Sequence, residues 1–427
     1  MITAIANARL IDPASGTDAP GGLIIEEGRI AGWGPQLASA PPAAGHIIDA
    51  GGLCLAPGFT DLRVKTGEPG EEQRETLASA AHAAAAGGVT TMVVMPDTRP
   101  VIDDVALVQF LTRTDPRQVP VNVLAAGALT VGLAGEAMAE LGLMKLAGAT
   151  YFTNGDTPVA DAGVMKRAMT YAASHDAIIA SRPDEVRLRG SGVMNAGNFA
   201  DRIGLKGIPR EAEWLGAARD LMLSEATGCQ LILDQVSTAR TLELLDAARS
   251  RGVAASPLVA AHHLFFNELD VGDYLTYCKV NPPFRSEADR QALITALAGG
   301  AIDAVVSAHD PQPPEAKRLP FAEAEFGAAG LETTLSAVLS LVHEERMDLL
   351  TALRPLTCGP ADLIGIDAGR FETGRPADLV LFDPDAPWKC ERERLRSRST
   401  NSPFDGRLLQ GRVARTWCHG RCVFGGD

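Results

Sequence analysis

The residues best placed for chemistry lie in Asp61-Leu62-Arg63-Val64-Lys65-Thr66-Gly67, where a β-rich run ends in two cations, one residue apart, and a Gly/Pro-rich loop. Arg63 and Lys65 could grip an anion together with Arg182. They could equally neutralise Asp61, Asp97, Asp156 or Asp310, since buried cations need partners. Neither can ligate a metal: guanidinium stays protonated, ammonium nearly always does, and Zn²⁺ needs a neutral imidazole nitrogen or an anionic donor. Other candidates are sparse. Cys418-His419-Gly420-Arg421-Cys422 reads as a metal half-site in a strand-like stretch, with no second ligand pair near it in sequence. Ser191 and Ser237 come with no identifiable base, and no Gly-x-Ser-x-Gly elbow, Walker loop or Gly-x-Gly-x-x-Gly fingerprint is present.

The elements that would position these residues alternate. β-rich runs at 58–64, 89–95, 121–127, 149–153, 177–181, 230–236, 253–257 and 303–307 are mostly followed by stretches at helical spacing, such as 75–86, 136–146, 162–174, 211–226 and 241–250. Eight such units predict an α/β fold, a TIM-like (β/α)₈ barrel over residues 57–370. A doubly wound open sheet is the alternative. Residues 1–56 and 371–427 instead read as short strands punctuated by Gly and Pro, so both termini are expected to meet in a small β-sandwich satellite.

In such a barrel the working residues lie where the strands end. Those ends carry Arg63 and Lys65, then Thr153-Asn154-Gly155, Ser181-Arg182, Gln235, and Ala308-His309-Asp310. Of eight histidines only His309 falls at such an end; His262 and His263 follow the seventh strand. No hydrolytic zinc site, with three or four converging ligands and an open position for water, can be assembled from them.

Several segments resemble the dihydroorotases, a family of cyclic amidohydrolases. They include Pro57–Gly70, Ala85–Pro96, Lys279-Val280-Asn281-Pro282-Pro283-Phe284-Arg285, Gly330-Leu331-Glu332-Thr333 and Gly374-Arg375-Pro376-Ala377-Asp378-Leu379. The resemblance implies a metal-dependent hydrolase barrel acting in pyrimidine biosynthesis. It also implies where the site has changed. The family's His-x-His pair falls on Arg63 and Lys65. Its strand-four carboxylates fall on Asn154 and Gly155, with Asp156 offset by one or two residues. Its later histidines fall on Ser181 and Gln235, and its catalytic aspartate on Ala308. The substrate-gripping arginine falls on Gly67 and a recognition asparagine on Asp97, which would repel a carboxylate; Asn281 and His309 remain. The expectation is therefore no catalytic residue, no bound metal and a lost zinc cofactor. The resemblance further implies a scaffold role: inactive chains of this kind are similar to subunits that assemble with the aspartate carbamoyltransferase catalytic chain. A divergent active dihydroorotase and an anion- or metabolite-binding regulator are the alternatives, and a homo-oligomer is left open.

Composition narrows the rest. The 427 residues are 46% hydrophobic with a net charge of −14 and no block of Lys/Arg, which argues against nucleic acid or an anionic membrane as partner. The N-terminus lacks the pattern of a signal peptide, and no run long enough to span a membrane occurs. Seven cysteines, an odd and scattered set, suggest free thiols and a cytoplasmic protein.

Overall fold

A computed structural model describes residues 2–39 and 45–426. Positions 1 and 40–44 of the N-terminal segment, and position 427, lie outside the described residues. Eight parallel strands form a ring: Phe59–Val64, Val89–Val94, Asn122–Ala128, Ala149–Thr153, Ile179–Ser181, Leu231–Leu233, Ala255–Ala260 and Ala304–Val306, taken here as the first to eighth barrel strands. A parallel bridge between Val64 and His309, with the Lys65 N–H on the His309 carbonyl at 2.9 Å, joins the last strand back to the first. This is a (β/α)₈ barrel, the α/β class that the alternating pattern predicts, and the open doubly wound sheet is excluded.

Strand residues that face inward form one apolar cluster drawn from every strand, with Leu62, Val93, Ala126, Tyr151, Ala180, Ile232, Leu258 and Val306 among its members. The outward faces pack on the surrounding helices in a second, larger cluster. Burial on both faces explains why the strands read as β-branched or apolar runs rather than as clean alternations. The 18-residue helix Arg210–Thr227 buries Ala212, Ala217 and Leu221 but also Glu213 and Asp220. Those two acids are spent on the barrel, as described below.

Some elements differ from the sequence pattern. The helix expected over 136–146 is confined to Leu141–Leu146, because the preceding residues fold back: Met138 bridges Thr130, and the Ala139 N–H bonds the Leu129 carbonyl at 3.1 Å. Helices Val105–Thr112 and Glu287–Ala298, capped by Asp104 and Ser286, add to the stretches that the periodicity predicts.

The terminal strands join in a single eight-stranded mixed sheet with its own apolar core, including Ile5, Leu10, Leu23, Leu379 and Trp417. Cys54–Pro57 pairs with Leu379–Lys389, so the two ends of the chain meet next to the start of the first barrel strand. No helix among the described residues is long and apolar enough to cross a membrane.

Candidate functional site at the barrel mouth

The C-terminal ends of the strands enclose a cavity of about 220 Å³ lined by Arg63, Lys65, Asp156, Gln235, His262, Asn281, Ala308 and Asp310. Arg63, only 2% exposed, is its centre. The guanidinium donates from Nε to Asp234 Oδ2 at 2.7 Å and from Nη2 to Asp156 Oδ1 at 2.6 Å. Lys65 Nζ pairs with Asp97 at 2.8 Å and Asp310 at 3.2 Å, and also with Asp156. Arg182 closes the set on Asp156. With its amide oxygen turned toward the guanidinium, the orientation that suits both groups, Gln235 accepts from Arg63 Nη2 and Nε at 2.9 Å.

The electrostatics follow from this packing. Burial opposes the charge on Arg63 and Lys65, but Asp234 and Asp156 on the first, and Asp156 and Asp310 on the second, outweigh it and raise both pKa values. Burial likewise opposes the Asp156 carboxylate; Lys65, Arg63 and Arg182 hold it well below its ordinary range. Asp310 moves the other way, raised by burial and by its acidic neighbours Asp156 and Asp97 despite Lys65. His262 and His263 are kept neutral by burial, His263 falling to about 3. His263 Nε2 lies 3.1 Å from the Pro282 carbonyl, whereas His262 faces the cavity.

The structure sorts the residues that the sequence nominates. Arg63, Lys65, Gln235, Asn281 and Ala308 converge on the cavity, and Asp97 joins them through Lys65. Asp97 therefore spends its charge on an ammonium rather than standing free to repel a ligand. Asn154 turns away: its Oδ1 accepts from the Thr130 N–H at 3.1 Å and hydroxyl at 2.9 Å, and its Nδ2 donates to the Leu133 carbonyl at 3.2 Å. Asp156, two residues on, takes the place at the mouth. Ser181 also turns away, donating to Asp220 Oδ2 at 2.6 Å. His309 is fully buried behind the mouth, its Nε2 3.4 Å from Glu75 Oε2 and its Nδ1 accepting from the Gly330 N–H at 3.3 Å. Ser237 is tied by Glu213 and Arg285 and has no histidine base. Asp234 was missed; a carboxylate immediately before Gln235 at a strand end was the available signal.

Two positions keep a backbone that their side chains do not suit. Gln235 has φ +57° and Ala308 φ +49°. Residues other than glycine rarely adopt that region, where histidine and aspartate are enriched, and it costs about 1–2 kcal/mol. Gly67 has φ +70°, and a Cβ there would meet the Glu71 carbonyl oxygen at 2.6 Å, so no arginine side chain fits this turn without moving it.

A hydrolytic zinc site needs three or four converging donors, and the one neutral imidazole facing this mouth is His262, whose buried Nε2 has no hydrogen-bond partner. Arg63 and Lys65 bring protons, Ala308 brings nothing, and the carboxylates are engaged by the three cations. Among the described residues, the one group of three His, Cys, Asp or Glu donors close enough to share an ion is Asp378, Cys418 and His419, at the opposite end of the barrel.

Fold and site together define an amidohydrolase-type barrel whose mouth holds an ion-pair cluster. Comparison with known proteins agrees with the fold. L-hydantoinase (dihydropyrimidinase) from Arthrobacter aurescens superposes with a TM-score of 0.88 at 25% identity, covering 98% of this chain and 95% of that one. Dihydropyrimidinase from Brevibacillus agri superposes with a TM-score of 0.85 at 19% identity, covering 99% and 95%. The "Dihydro-orotase-like" family model matches residues 52–241, and an "Amidohydrolase family" model matches residues 333–424. A dihydroorotase of Syntrophotalea carbinolica is 39% identical over 98% of both chains, and one of Anaplasma phagocytophilum is 37% identical over 99% of this chain and 95% of its own. The chain belongs to the dihydroorotase family.

Proposed function

We propose that this chain is a dihydroorotase homologue of the pyrimidine pathway that binds no zinc at its barrel mouth and does not hydrolyse dihydroorotate. In this reading it serves as an assembly subunit for the aspartate carbamoyltransferase catalytic chain, in the cytoplasm. The observation that carries it is the ion-pair cluster of Arg63 and Lys65 with Asp234, Asp156, Asp97 and Asp310. A hydrolase of this class needs a metal-bound water and a carboxylate to take its proton. Here the first need meets two protonated side chains and the second meets Ala308. The partner rests on the family resemblance; the fold is otherwise intact, and a rigid surface is what a scaffold requires. The six buried cysteines, all free thiols, are in keeping with a reducing compartment.

The names of the relatives favour a second reading, an active dihydroorotase that interconverts dihydroorotate and N-carbamoyl-aspartate through a rearranged metal site. An anion-binding regulator has less support, because the cations around the mouth are already paired: Arg63, Lys65 and Arg182 with Asp234, Asp156, Asp97 and Asp310, Arg74 with Glu71, and Arg189 with Asp184. Purified protein supplemented with zinc should show no turnover of dihydroorotate, and it should co-purify with the transcarbamoylase and raise that enzyme's assembly or activity. Turnover that a chelator abolishes would establish the second reading. A transcarbamoylase fully assembled and active without this chain would remove the scaffold role.

A further inference from the structure

The cysteine-histidine segment near the C-terminus gains in three dimensions the ligand that it lacks in sequence. Strands Leu408–Cys418 and Arg421–Phe424 turn at His419-Gly420, both with left-handed backbone (φ +48° and +72°). The turn places the His419 N–H on Asp378 Oδ1 at 2.6 Å. Asn122, at the start of the third barrel strand, donates from Nδ2 to Asp378 Oδ2 at 2.8 Å, and its Oδ1 lies 2.7 Å from His419 Nε2. Cys418 is buried beside them, and one donor atom from each of Asp378, Cys418 and His419 lies within 4.8 Å of the others. All three line a cavity of about 450 Å³ that Asn122 also borders.

We propose that Asp378, Cys418 and His419 form a binding site for a borderline-soft divalent ion of the zinc class, with water completing a tetrahedron. The donor set makes the selection: sulfur and imidazole favour zinc over magnesium or calcium, which take all-oxygen sites. The surrounding hydrogen bonds have the form that orients metal ligands. If His419 donates from Nε2 to Asn122, its Nδ1 lone pair is left for the ion. Asp378 accepts from the His419 N–H, from Asn122 Nδ2 and from the Cys418 thiol, a contact that an ion bound by the thiolate would replace. Cys422, the other half of the sequence motif, belongs elsewhere: it lines a separate cavity with His46 and Arg415. An ion here would tie the C-terminal hairpin to Asp378, and through Asn122 to the base of the barrel. The site is distinct from the mouth, whose lining includes no cysteine.

The test is a Co²⁺ titration of the metal-free full chain, followed by displacement with Zn²⁺. The expected result is one Co²⁺ per chain, with a near-ultraviolet thiolate-to-cobalt charge-transfer band that zinc removes. Cys418→Ser should abolish the band and Cys422→Ser should leave it. Because Cys418 is buried and its variant could misfold, exposed His419→Ala provides the second arm and should weaken Co²⁺ binding at least about tenfold. No thiolate band in the native chain, or undiminished affinity in His419→Ala, overturns the proposal. An ion held only at the mouth would give no thiolate band.

Discussion

Arg63 sits where the barrel is least forgiving of a bare charge. Its guanidinium is enclosed with Asp234, itself 3% exposed, so removing either partner strands the other in a poorly solvated place. Breaking a buried pair from one side typically costs about 3–5 kcal/mol, whereas replacing both with apolar groups of similar volume is often neutral. Arg63→Met should therefore lower unfolding free energy in urea by about 3–5 kcal/mol, and Arg63→Met/Asp234→Leu should recover part of that loss; equal losses in the single and double variants would contradict the pairing. Asp156 is different, because 32% of its side chain remains exposed. Its folded pKa lies below the unfolded value, so its contribution is complete above about pH 4 and is lost as pH falls from there through the depressed folded pKa. Asp310 works in the opposite sense: its raised folded pKa costs stability once pH exceeds the ordinary carboxylate value, and acid relieves that cost. Asp156→Asn should accordingly be less stable than the parent at pH 7 and should lose less further stability on acidification to about pH 3. Urea midpoints at the two pH values check both signs.

At the scale of elements, Glu75 shows how a loop carboxylate can hold distant parts of the chain. It precedes helix Leu77–Ala86, is fully buried, and accepts from the Arg398 N–H at 3.0 Å, from the Ser397 and Ser79 hydroxyls, and faces His309. Burial opposes its charge, but His309 and the two serines hold its pKa low. Glu75→Ala would orphan several buried donors, each costing about 1–3 kcal/mol. The expected outcome is a loss on the order of 3 kcal/mol and faster tryptic cleavage between Arg394 and Arg398; an unchanged digestion rate would mean that other contacts hold the segment. None of this was visible in sequence, because Glu75 and Arg398 are 323 positions apart and no local pattern links them. The barrel strands were visible, since burial on both faces writes long apolar runs: Ala149–Thr153 has the bounds that its composition suggests. Helix Val105–Thr112 was hidden by its brevity, and helix Glu287–Ala298 carries acids in its first turn that blur its apolar face. At the mouth, residue type alone showed that Arg63 and Lys65 cannot ligate. The departure of Asn154 and Ser181 toward Thr130 and Asp220 depends on loop geometry that spacing does not encode.

Across the whole molecule, the ion pairs of the mouth sit on an apolar barrel interior. Leu62, Tyr151, Ile232 and Leu258 lie there in a cluster that reaches Ala308 at the mouth itself. The backbone at Gln235 and Ala308 also keeps left-handed values that suit histidine and aspartate better than the residues now present. A barrel with those properties should accept metal ligands at its mouth. The variant Arg63→His/Lys65→His/Ser181→His/Gln235→His/Ala308→Asp, which leaves Asp156 in place, should fold and take up zinc at the mouth, without the thiolate band that a cysteine ligand would give. It should still not turn over dihydroorotate, because Gly67 cannot carry a recognition arginine in its present turn and His309 stays locked behind the cavity against Glu75. Metal analysis and an activity assay on the same preparation separate the outcomes. Zinc uptake without turnover would place the block to catalysis in the substrate-binding residues as well as in the metal ligands. Turnover on restoring the ligands alone would show that Gly67 and His309 were never limiting, and a variant that fails to fold would show that the ion-pair cluster has become part of what holds the barrel together.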